Sequence, residues 1–393
     1  MNSDNNNIVI TSALRTAIGS FRGSLKEMQA TDLGALVAKA TIKESNLNPN
    51  DVDELIMGQV LTSAAGQNPA RQAAIQAGMP VEKTAYVINQ VCGSGLRAIV
   101  AGYQAILSND SKIIIAGGQE SMTNAPHAIY YSNSQKFNES NLIDTKTKDG
   151  LWDAFNGYHM GVTAENVANK WKITRKEQDD FAFWSQQKAE KAQKEEKFKD
   201  EIIQSIFNGK NKLNIDEHPR AGMTLEKLSN LKPAFKKDGT VTPGNASGIN
   251  DGAAAVILMS NDEAKKRSLK PLAKIISWAT CGVDPALMGS GPIPASKKAL
   301  KQAGWKISDL DLIESNEAFA AQSLAVIKDL GLQKDKVNVN GGAIALGHPI
   351  GASGARILVT LIHEMQKRKV KKGLATLCIG GGMGIAMCIE SNT

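Results

Sequence analysis

Apolar and polar positions alternate along the first 120 residues in a pattern that predicts short strands separated by amphipathic helices. The predicted strands cover residues 8–11, 54–58, 85–91 and 112–116, the last ending at Gly117-Gly118. The predicted helices cover residues 32–45, about 69–77 and 94–108. Strands that alternate with helices are typical of an α/β sheet covered on both faces.

The C-terminal part of the chain repeats this plan. Its predicted strands cover residues 310–314, 337–340 and 375–379, and its predicted helices cover 318–330 and 352–368. Three short stretches recur in the same order in both parts: 53–56 is similar to 311–313, 94–97 to 353–356, and 116–118 to 380–382. Their nearly constant separation favours an internal duplication over chance similarity.

The middle of the chain has a different texture, with polar loops, a Trp- and Lys-rich region predicted as helical at 165–206, and then irregular chain. Residues 250–259 return to a strand pattern that we expect to rejoin the first sheet. We therefore predict a first half (1–120 with 250–273), an inserted loop domain (121–249) and a second half (274–393).

Composition indicates a globular protein, because 42% of the 393 residues are hydrophobic and none of the apolar runs reaches the length of a membrane span, about 20 residues. The net charge of +7 comes from scattered lysines, which does not indicate nucleic-acid binding. The first seven residues are polar and Asn-rich and lack the pattern of a secretion signal or transit peptide. We therefore expect a cytoplasmic protein.

Cysteine and histidine usage leaves single thiols open to reactive roles. The four cysteines form no CxxC pair and the five histidines show no ligand spacing, so neither a disulfide framework nor a metal site is expected. A Gly-rich phosphate loop and a dinucleotide fingerprint are both missing, so neither ATP nor NAD is implied. Cys281 and Cys388 lie in unremarkable settings and are assigned to structure.

Cys92 lies in a Gly-rich turn, residues 89–95, between a predicted strand and a predicted helix. The positive helix end and nearby N–H groups are expected to lower the pKa of such a thiol. The backbone N–H of Cys92 could also stabilise an oxyanion. The alternative is a small buried core cysteine, which is the commoner case for an unplaced thiol.

Two further residues have settings that favour chemistry. His348 lies in a loop, residues 340–354, that is too rich in glycine to be explained by packing, and its neutral ring could accept the proton of a thiol. Cys378 ends an apolar strand before three glycines, at the sheet edge where open α/β sheets bind ligands. Because the two cysteines come from opposite repeats, their thiols could face one cleft.

Together these segments closely resemble the thiolase family over nearly the whole chain, from Arg-Thr-Ala-Ile-Gly at 15–19 through Asn-Glu-Ala-Phe at 316–319 to Cys-Ile-Gly-Gly-Gly at 378–382. Gly-Tyr-His-Met-Gly at 157–161 is similar to the signature of family members with a small acyl pocket. The resemblance implies an α/β, duplicated, five-layered αβαβα fold with an inserted loop domain. It also implies a homotetramer and a role in lipid metabolism.

The activity that the resemblance implies is the reversible condensation of two acetyl-CoA molecules to acetoacetyl-CoA and CoA, with CoA thioesters as substrates and no cofactor. Cys92, deprotonated by His348, would take the acetyl group, and Cys378 would remove a proton from the second acetyl-CoA. The resemblance assigns His348 and a water held by Asn316 to the enolate oxygen. It assigns the N–H groups of Cys92 and Gly380 to the tetrahedral intermediate. For Asn316, helix capping is the rival interpretation.

The resemblance also implies a binding site for the coenzyme and the acyl group. It carries over Arg220 to the nucleotide end, Ser247 to the pantetheine chain, and a set of residues to the tunnel and acyl pocket: Leu151, His159, Met160, Phe235, Ala246, Met288 and Phe319. Each apolar member could instead be plain core.

Other functions remain open on the sequence. The nearest are a broader-chain 3-ketoacyl-CoA thiolase of fatty-acid degradation and a ketoacyl synthase, in which a second histidine would stand where this chain has Cys378. A thiolase-like lipid carrier or a polyanion-binding scaffold would need neither cysteine. The set of Cys92, His348 and Cys378 argues against both.

Overall fold

The computed structural model describes residues 7–130, 138–207 and 209–392. The polar N-terminal stretch on which the localisation prediction depends lies, apart from Asn7, outside the described residues. The strands are β1 (Ile8–Thr16), β2 (Gly19–Ser20), β3 (Glu54–Gly58), β4 (Thr84–Ile88), β5 (Ile113–Ser121), β6 (His127–Ala128), β7 (Ile143–Asp144), β8 (Trp152–Asp153), β9 (Tyr158–His159), β10 (Ile202–Ile203), β11 (Ser205–Phe207), β12 (Lys210–Leu213), β13 (Asn250–Ser260), β14 (Ala273–Gly282), β15 (Leu312–Ser315), β16 (Lys372–Ile379) and β17 (Met383–Ser391).

The helices alternate with the longer strands. They are α1 (Ala30–Glu44), α2 (Pro69–Gln76), α3 (Ser94–Leu107), α4 (Met160–Trp171), α5 (Arg175–Lys194), α6 (Leu225–Ser229), α7 (Asn261–Lys266), α8 (Pro292–Ala303), α9 (Ala320–Leu330), α10 (Ala343–Leu346) and α11 (Ile350–Arg368). In the described parts of the chain, no helix combines the length and apolar character needed to cross a membrane.

The main sheet has the strand order β15-β16-β17-β14-β1-β13-β5-β3-β4. Its first four strands belong to the second repeat and its last five to the first. The two sets meet at β1 and β14 through only two residue pairs, Val9 with Lys274 and Ile10 with Ala273. Strand β13, which follows the inserted region, lies between β1 and β5 of the first repeat.

Helices α3 and α11 pack between the two sets of strands, because their apolar residues share one core with both. Helices α1 and α2 cover the outer face of the first set, and α8 and α9 cover that of the second. The order is therefore helix, sheet, helix, sheet, helix, which confirms the duplicated five-layered α/β fold.

The two central helices cross at their N-terminal ends with their backbones in contact. A Cβ atom added to Gly95 would lie 2.9 Å from the backbone nitrogen of Ala355, and one added to Gly354 would lie 2.5 Å from that of Leu96. Any side chain at either glycine would push the helices apart. Glycine at these equivalent positions therefore permits the central layer.

Three predicted elements differ from the structure. Strand β5 does not end at Gly117-Gly118 but continues to Ser121, because both glycines pair with β13 and lie too close to neighbouring backbone for a side chain. The predicted strand at 337–340 is wrong: Val337 makes one bridge to Ile313, and the chain then turns at Asn338, which has a left-handed φ of 45°. The region predicted as helical at 165–206 contains α4 and α5 but ends in the short strands β10 and β11.

Candidate active site

Cys92 lies in a tight turn between β4 and α3. Val91, directly before it, has a left-handed φ of 46°, which is unfavourable for a β-branched residue. The N–H groups of Gly93 and Ser94 donate to the carbonyls of Gln90 and Val91, both at 3.0 Å, and the Ser94 hydroxyl also donates to the Val91 carbonyl at 2.6 Å. These bonds hold the strained turn that presents Cys92 at the start of α3.

The Cys92 side chain is half-buried and packs against an apolar cluster formed by Val60, Leu61, Met122 and Ile350. Burial raises the pKa of Cys92 to about 11, although the backbone N–H groups of Gly380 and of Cys92 itself favour the thiolate. The prediction of a lowered pKa is therefore wrong for the free site, because desolvation outweighs the helix start. The two N–H groups assigned to the oxyanion both lie at this sulfur.

His348 is buried in the loop between α10 and α11. Its backbone N–H donates to Asn250 Oδ1 at 2.9 Å, and its Nδ1 lies 2.5 Å from Ser353 Oγ. The Ser353 hydroxyl donates its proton to the Pro349 carbonyl at 2.9 Å, so Ser353 Oγ accepts from His348 Nδ1–H. This network leaves the lone pair on Nε2.

The imidazole of His348 is neutral at physiological pH. Burial, together with the nearby charge of Arg356, lowers the pKa of His348 to about 3. A neutral ring with a lone pair on Nε2 can accept a proton at the moment that an acyl group is attacked.

Asn316 follows β15 and faces the imidazole. Its Nδ2 lies 3.4 Å from His348 Nε2 and 3.5 Å from Nδ1, while its buried Oδ1 has no hydrogen-bond partner among the described residues. Helix α9 begins at Ala320 with Phe319 at its N-cap, so Asn316 does not cap it. A buried unpaired acceptor of this kind needs a partner such as water or a ligand.

Cys378 is buried near the end of β16, before a turn in which Gly381 and Gly382 have left-handed φ angles of 84° and 85°. It belongs to an apolar cluster with Met160, Met288 and Phe319. Burial raises the pKa of Cys378 far above its usual range, and the charge of the Cys92 thiolate raises it further. The two sulfurs therefore lie close enough to interact electrostatically.

A cleft of about 730 Å³ reaches His348 from the surface, whereas Cys92, Cys378 and Asn316 are not part of its lining. Its lining includes His348 and most of the residues predicted to bind the coenzyme, namely Leu151, His159, Arg220, Phe235, Ala246, Ser247 and Phe319. The His159 ring stacks on Phe235 with centroids 4.7 Å apart, and Phe235 meets Phe319 edge to face at 6.4 Å. These three rings form an aromatic part of the cleft wall.

The two predicted methionines are not in this cleft lining. Met160 and Met288 lie instead in the buried cluster with Cys378, at the inner end of the site. Both were predicted to line the tunnel and acyl pocket. They lie next to the region where an acyl group would end, and not along the coenzyme tunnel.

Several residues that shape the site were not predicted. His218 and Phe21 line the cleft, while Asn250, Ser353 and Glu120 hold the backbone or side chains around the reacting groups. Ser353 lies in the same Gly-rich segment as His348, so its spacing could have indicated the contact. Asn250 is 98 residues from His348 and gave no local signal.

The site combines a thiol at a strained turn, a neutral imidazole, a second buried thiol and a deep cleft. Such a set is typical of acyl-transfer enzymes with a cysteine nucleophile. Within the described ranges, groups of three or more His, Cys, Asp or Glu side chains that could hold a metal ion are absent.

Comparison with known sequences identifies the family. The description "Thiolase, N-terminal domain" matches residues 8–262, and "Thiolase, C-terminal domain" matches residues 269–391. The chain is 60% identical over 385 residues to the acetyl-CoA acetyltransferase of Paracoccus denitrificans, covering 97% of this chain and 98% of the relative. It is 59% identical over 389 residues to that of Rhizobium meliloti, covering 98% and 99%. The chain belongs to the thiolase family.

Solved structures show the same fold. The acetyl-CoA acetyltransferase of Bacillus anthracis matches with a TM-score of 0.94 at 44% identity, covering 98% of both chains. Human mitochondrial 3-ketoacyl-CoA thiolase in complex with CoA matches with the same TM-score, identity and coverage. Overall structural similarity therefore does not separate an acetyl-specific enzyme from one for longer chains.

Proposed function

We propose that this chain is an acetyl-CoA C-acetyltransferase, which reversibly condenses two acetyl-CoA molecules to acetoacetyl-CoA and CoA through an acetyl group on Cys92. One observation carries the proposal: the neutral imidazole of His348 lines the cleft, and the two thiols, which interact electrostatically, share apolar clusters with the cleft-lining residues Ile350 and Phe319. The 60% and 59% identical relatives named acetyl-CoA acetyltransferase support the acetyl specificity.

In the first step, Cys92 attacks the thioester carbonyl while its proton moves to His348 Nε2. The high pKa of Cys92 and the low pKa of His348 keep both groups neutral before substrate binds, so proton transfer accompanies attack. The developing oxyanion accepts hydrogen bonds from the N–H groups of Cys92 and Gly380. Because the first proton stays on His348, Cys378 gives its own proton to the departing CoA thiolate.

In the second step, the Cys378 thiolate removes a methyl proton from a second acetyl-CoA. A buried thiolate with a raised pKa is a strong base, which suits the weak acidity of a carbon next to a thioester. The enolate oxygen accepts hydrogen bonds from His348 and from a water held by Asn316. The carbanion then attacks acetyl-Cys92, and the Cys92 thiolate recovers its proton from His348.

The coenzyme is held by Arg220, Ser247, Leu151, His159, Phe235 and Ala246. Arg220 lies toward its nucleotide and Ser247 toward its pantetheine. The acyl pocket around Cys378 is enclosed by Met160, Met288 and Phe319. Because these side chains are large, the pocket favours a two-carbon acyl group.

The experiment that tests this function measures thiolysis rates for 3-ketoacyl-CoA substrates of increasing chain length, together with the mass of the acyl adduct on Cys92. We expect a marked preference for acetoacetyl-CoA and an acetyl adduct. Equal or higher rates with long chains would favour the alternative of a broader-chain 3-ketoacyl-CoA thiolase. The structural similarity to human mitochondrial 3-ketoacyl-CoA thiolase is the reason to test this alternative. Product formed only from a malonyl thioester would favour a ketoacyl synthase.

A cytoplasmic location, a role in lipid metabolism, a homotetramer and the three-part division of the chain are further parts of the proposal. The homotetramer rests on family resemblance, and light scattering of the purified chain would test it. The division is supported by the return of β13 to the sheet of the first repeat. Limited proteolysis would test it, with cleavage expected within residues 121–249.

A further inference from the structure

Glu120 is a fully buried carboxylate near the end of β5, and the proposed mechanism gives it no role. Its Oε2 accepts the backbone N–H groups of Val60 at 3.0 Å and Gly351 at 2.9 Å, and its Oε1 accepts that of Leu61 at 3.2 Å. The carboxylate of Glu120 thus accepts hydrogen bonds from three backbone N–H groups. Burying a carboxylate without a cation is costly, so its presence beside a reactive group indicates a functional reason.

The three donors come from the two sides of the active site. Val60 and Leu61 follow β3 of the first repeat and pack against Cys92. Gly351 lies in the first turn of α11 in the second repeat, three residues after His348. One carboxylate therefore joins the segment that packs on the nucleophile to the segment that carries the imidazole.

The fit at this junction is close. A Cβ atom added to Gly351 would lie 2.6 Å from Glu120 Oε2 and 2.9 Å from the Cα of Gln59. The same atom would lie 3.1 Å from the backbone oxygen of Gln119, so β5 and α11 are also in contact at backbone distance beside Glu120.

We propose that Glu120 is a positioning residue that fixes the separation between Cys92 and His348 by bridging the two repeats. This inference rests on the proposed function, in which a proton moves directly between those two side chains. Proton transfer is sensitive to small displacements, and a misplacement of about 1 Å can cost about 100-fold in rate.

Electrostatics provides independent support that Glu120 faces the nucleophile. The charge of Glu120 contributes to the raised pKa of Cys92, and burial together with the charge of Asp251 raises the pKa of Glu120 itself to about 7. The backbone donors oppose that rise. Removing the charge should therefore make the Cys92 thiol easier to ionise.

The first test compares Glu120→Ala and Glu120→Gln for thiolysis of acetoacetyl-CoA. Glu120→Ala loses the bridge, so we expect kcat to fall about 10- to 100-fold while KM stays within about 3-fold, because the cleft lining is untouched. Glu120→Gln can place its carbonyl oxygen at the Oε2 position and keep the Val60 and Gly351 bonds, so it should retain most activity. A kcat for Glu120→Ala within about 3-fold of the parent would overturn the proposal.

The second test measures the alkylation rate of Cys92 by iodoacetamide at pH 8, which requires no assumption about substrate. Both Glu120 variants should react faster than the parent, because the negative charge is gone. A purely structural role would not increase this rate, so unchanged alkylation in Glu120→Gln would count against the assignment. Glu54→Gln is the matched control: Glu54 is also buried, but it lies at the opposite end of β3, and neither measurement should change.

Gly351→Ala tests the bridge from its other side if Glu120→Ala does not fold. The added methyl group presses on the carboxylate but keeps its charge, so kcat should fall while Cys92 alkylation does not accelerate. Parent-like kcat in this variant would contradict the proposal. Parent enzyme that is inactive on acetoacetyl-CoA but active on another 3-ketoacyl-CoA would refute only the acetyl specificity, and the same variants would then be measured on that substrate.

Discussion

Cys92 and Cys378 come from opposite repeats, lie at different positions within them and present their thiols differently. Cys92 lies between a strand and a helix, is half-buried and borders the cleft through its contact with Ile350. Cys378 lies within β16, where it pairs with Gly384 of the antiparallel strand β17, and is buried among apolar side chains. The first environment suits a nucleophile that must reach a carbonyl carbon, and the second suits a base that must stay dry.

From this difference we infer that the duplicated fold supplies two positions for a thiol. The structural element that follows each position decides whether the thiol acts as a nucleophile or as a base. A helix start gives Cys92 neighbouring N–H donors. A glycine turn at Gly381 and Gly382 lets β17 return alongside β16 and leaves Cys378 enclosed. Variants that remove one thiol at a time should therefore have unlike effects.

The largest expected effect is that of Cys92→Ala. Without a nucleophile we expect thiolysis of acetoacetyl-CoA to fall by about 10⁴-fold or more and the acetyl adduct to disappear from the intact mass. Cys281→Ala is a matched control, because Cys281 is a partly exposed thiol outside the site and its removal should leave the rate unchanged. An adduct of normal yield in Cys92→Ala would show that another residue carries the acyl group.

Cys378→Ala should separate the two half-reactions. We expect acetyl-CoA still to acetylate Cys92, because that thiol and His348 remain, but more slowly, because the departing CoA thiolate no longer receives a proton from Cys378. Condensation should fall about 10³-fold for want of a base. Mass measurement of the adduct and a condensation assay on the same sample give both values. Condensation at the parent rate would remove Cys378 from its proposed role.

The pH dependence of alkylation should sharpen the contrast between the thiols. Burial raises the pKa of Cys92 to about 11, so its reactive thiolate is scarce at pH 7 and increases as pH rises toward that value. We expect the iodoacetamide rate at Cys92 to rise about tenfold per pH unit between pH 7 and 10, with Cys378 modified later. A plateau above pH 8 would contradict the raised pKa.

Ser353→Ala should have a smaller effect that depends on His348 alone. It removes the acceptor for His348 Nδ1–H, so the ring loses the bond that fixes its orientation and tautomer. We expect kcat to fall about tenfold with little change in KM. Ser353→Thr, which keeps the hydroxyl, should recover part of the loss, and equal loss in both variants would argue against the hydrogen bond.

Much of the fold and the centre of the site could be predicted from sequence, because both depend on local patterns. Apolar periodicity located most helices and strands, and the glycine-rich settings of Cys92, His348 and Cys378 marked the residues that the structure brings together. The continuation of β5 through Gly117-Gly118 was missed because glycine there reflects close contact with β13, which lies far away in sequence.

The missed features of the site have the same cause. The pKa of Cys92 was predicted in the wrong direction because its apolar neighbours come from separate segments, and local sequence indicated only the helix start. Asn250 and Glu120 act through contacts that span 98 and 231 residues. Such contacts appear only once the two repeats are packed together.

The direct backbone contact of α3 with α11 at Gly95 and Gly354 has a consequence for how such enzymes can diversify. Since no side chain separates the helix starts, the spacing of α3 and α11 is set by the peptide backbone itself. Residues of the acyl pocket, such as Met288 and Phe319, can then vary to admit other acyl tails. Such changes would leave the distance between the groups that exchange the acyl group unaltered. One rigid frame could thereby serve substrates of many lengths.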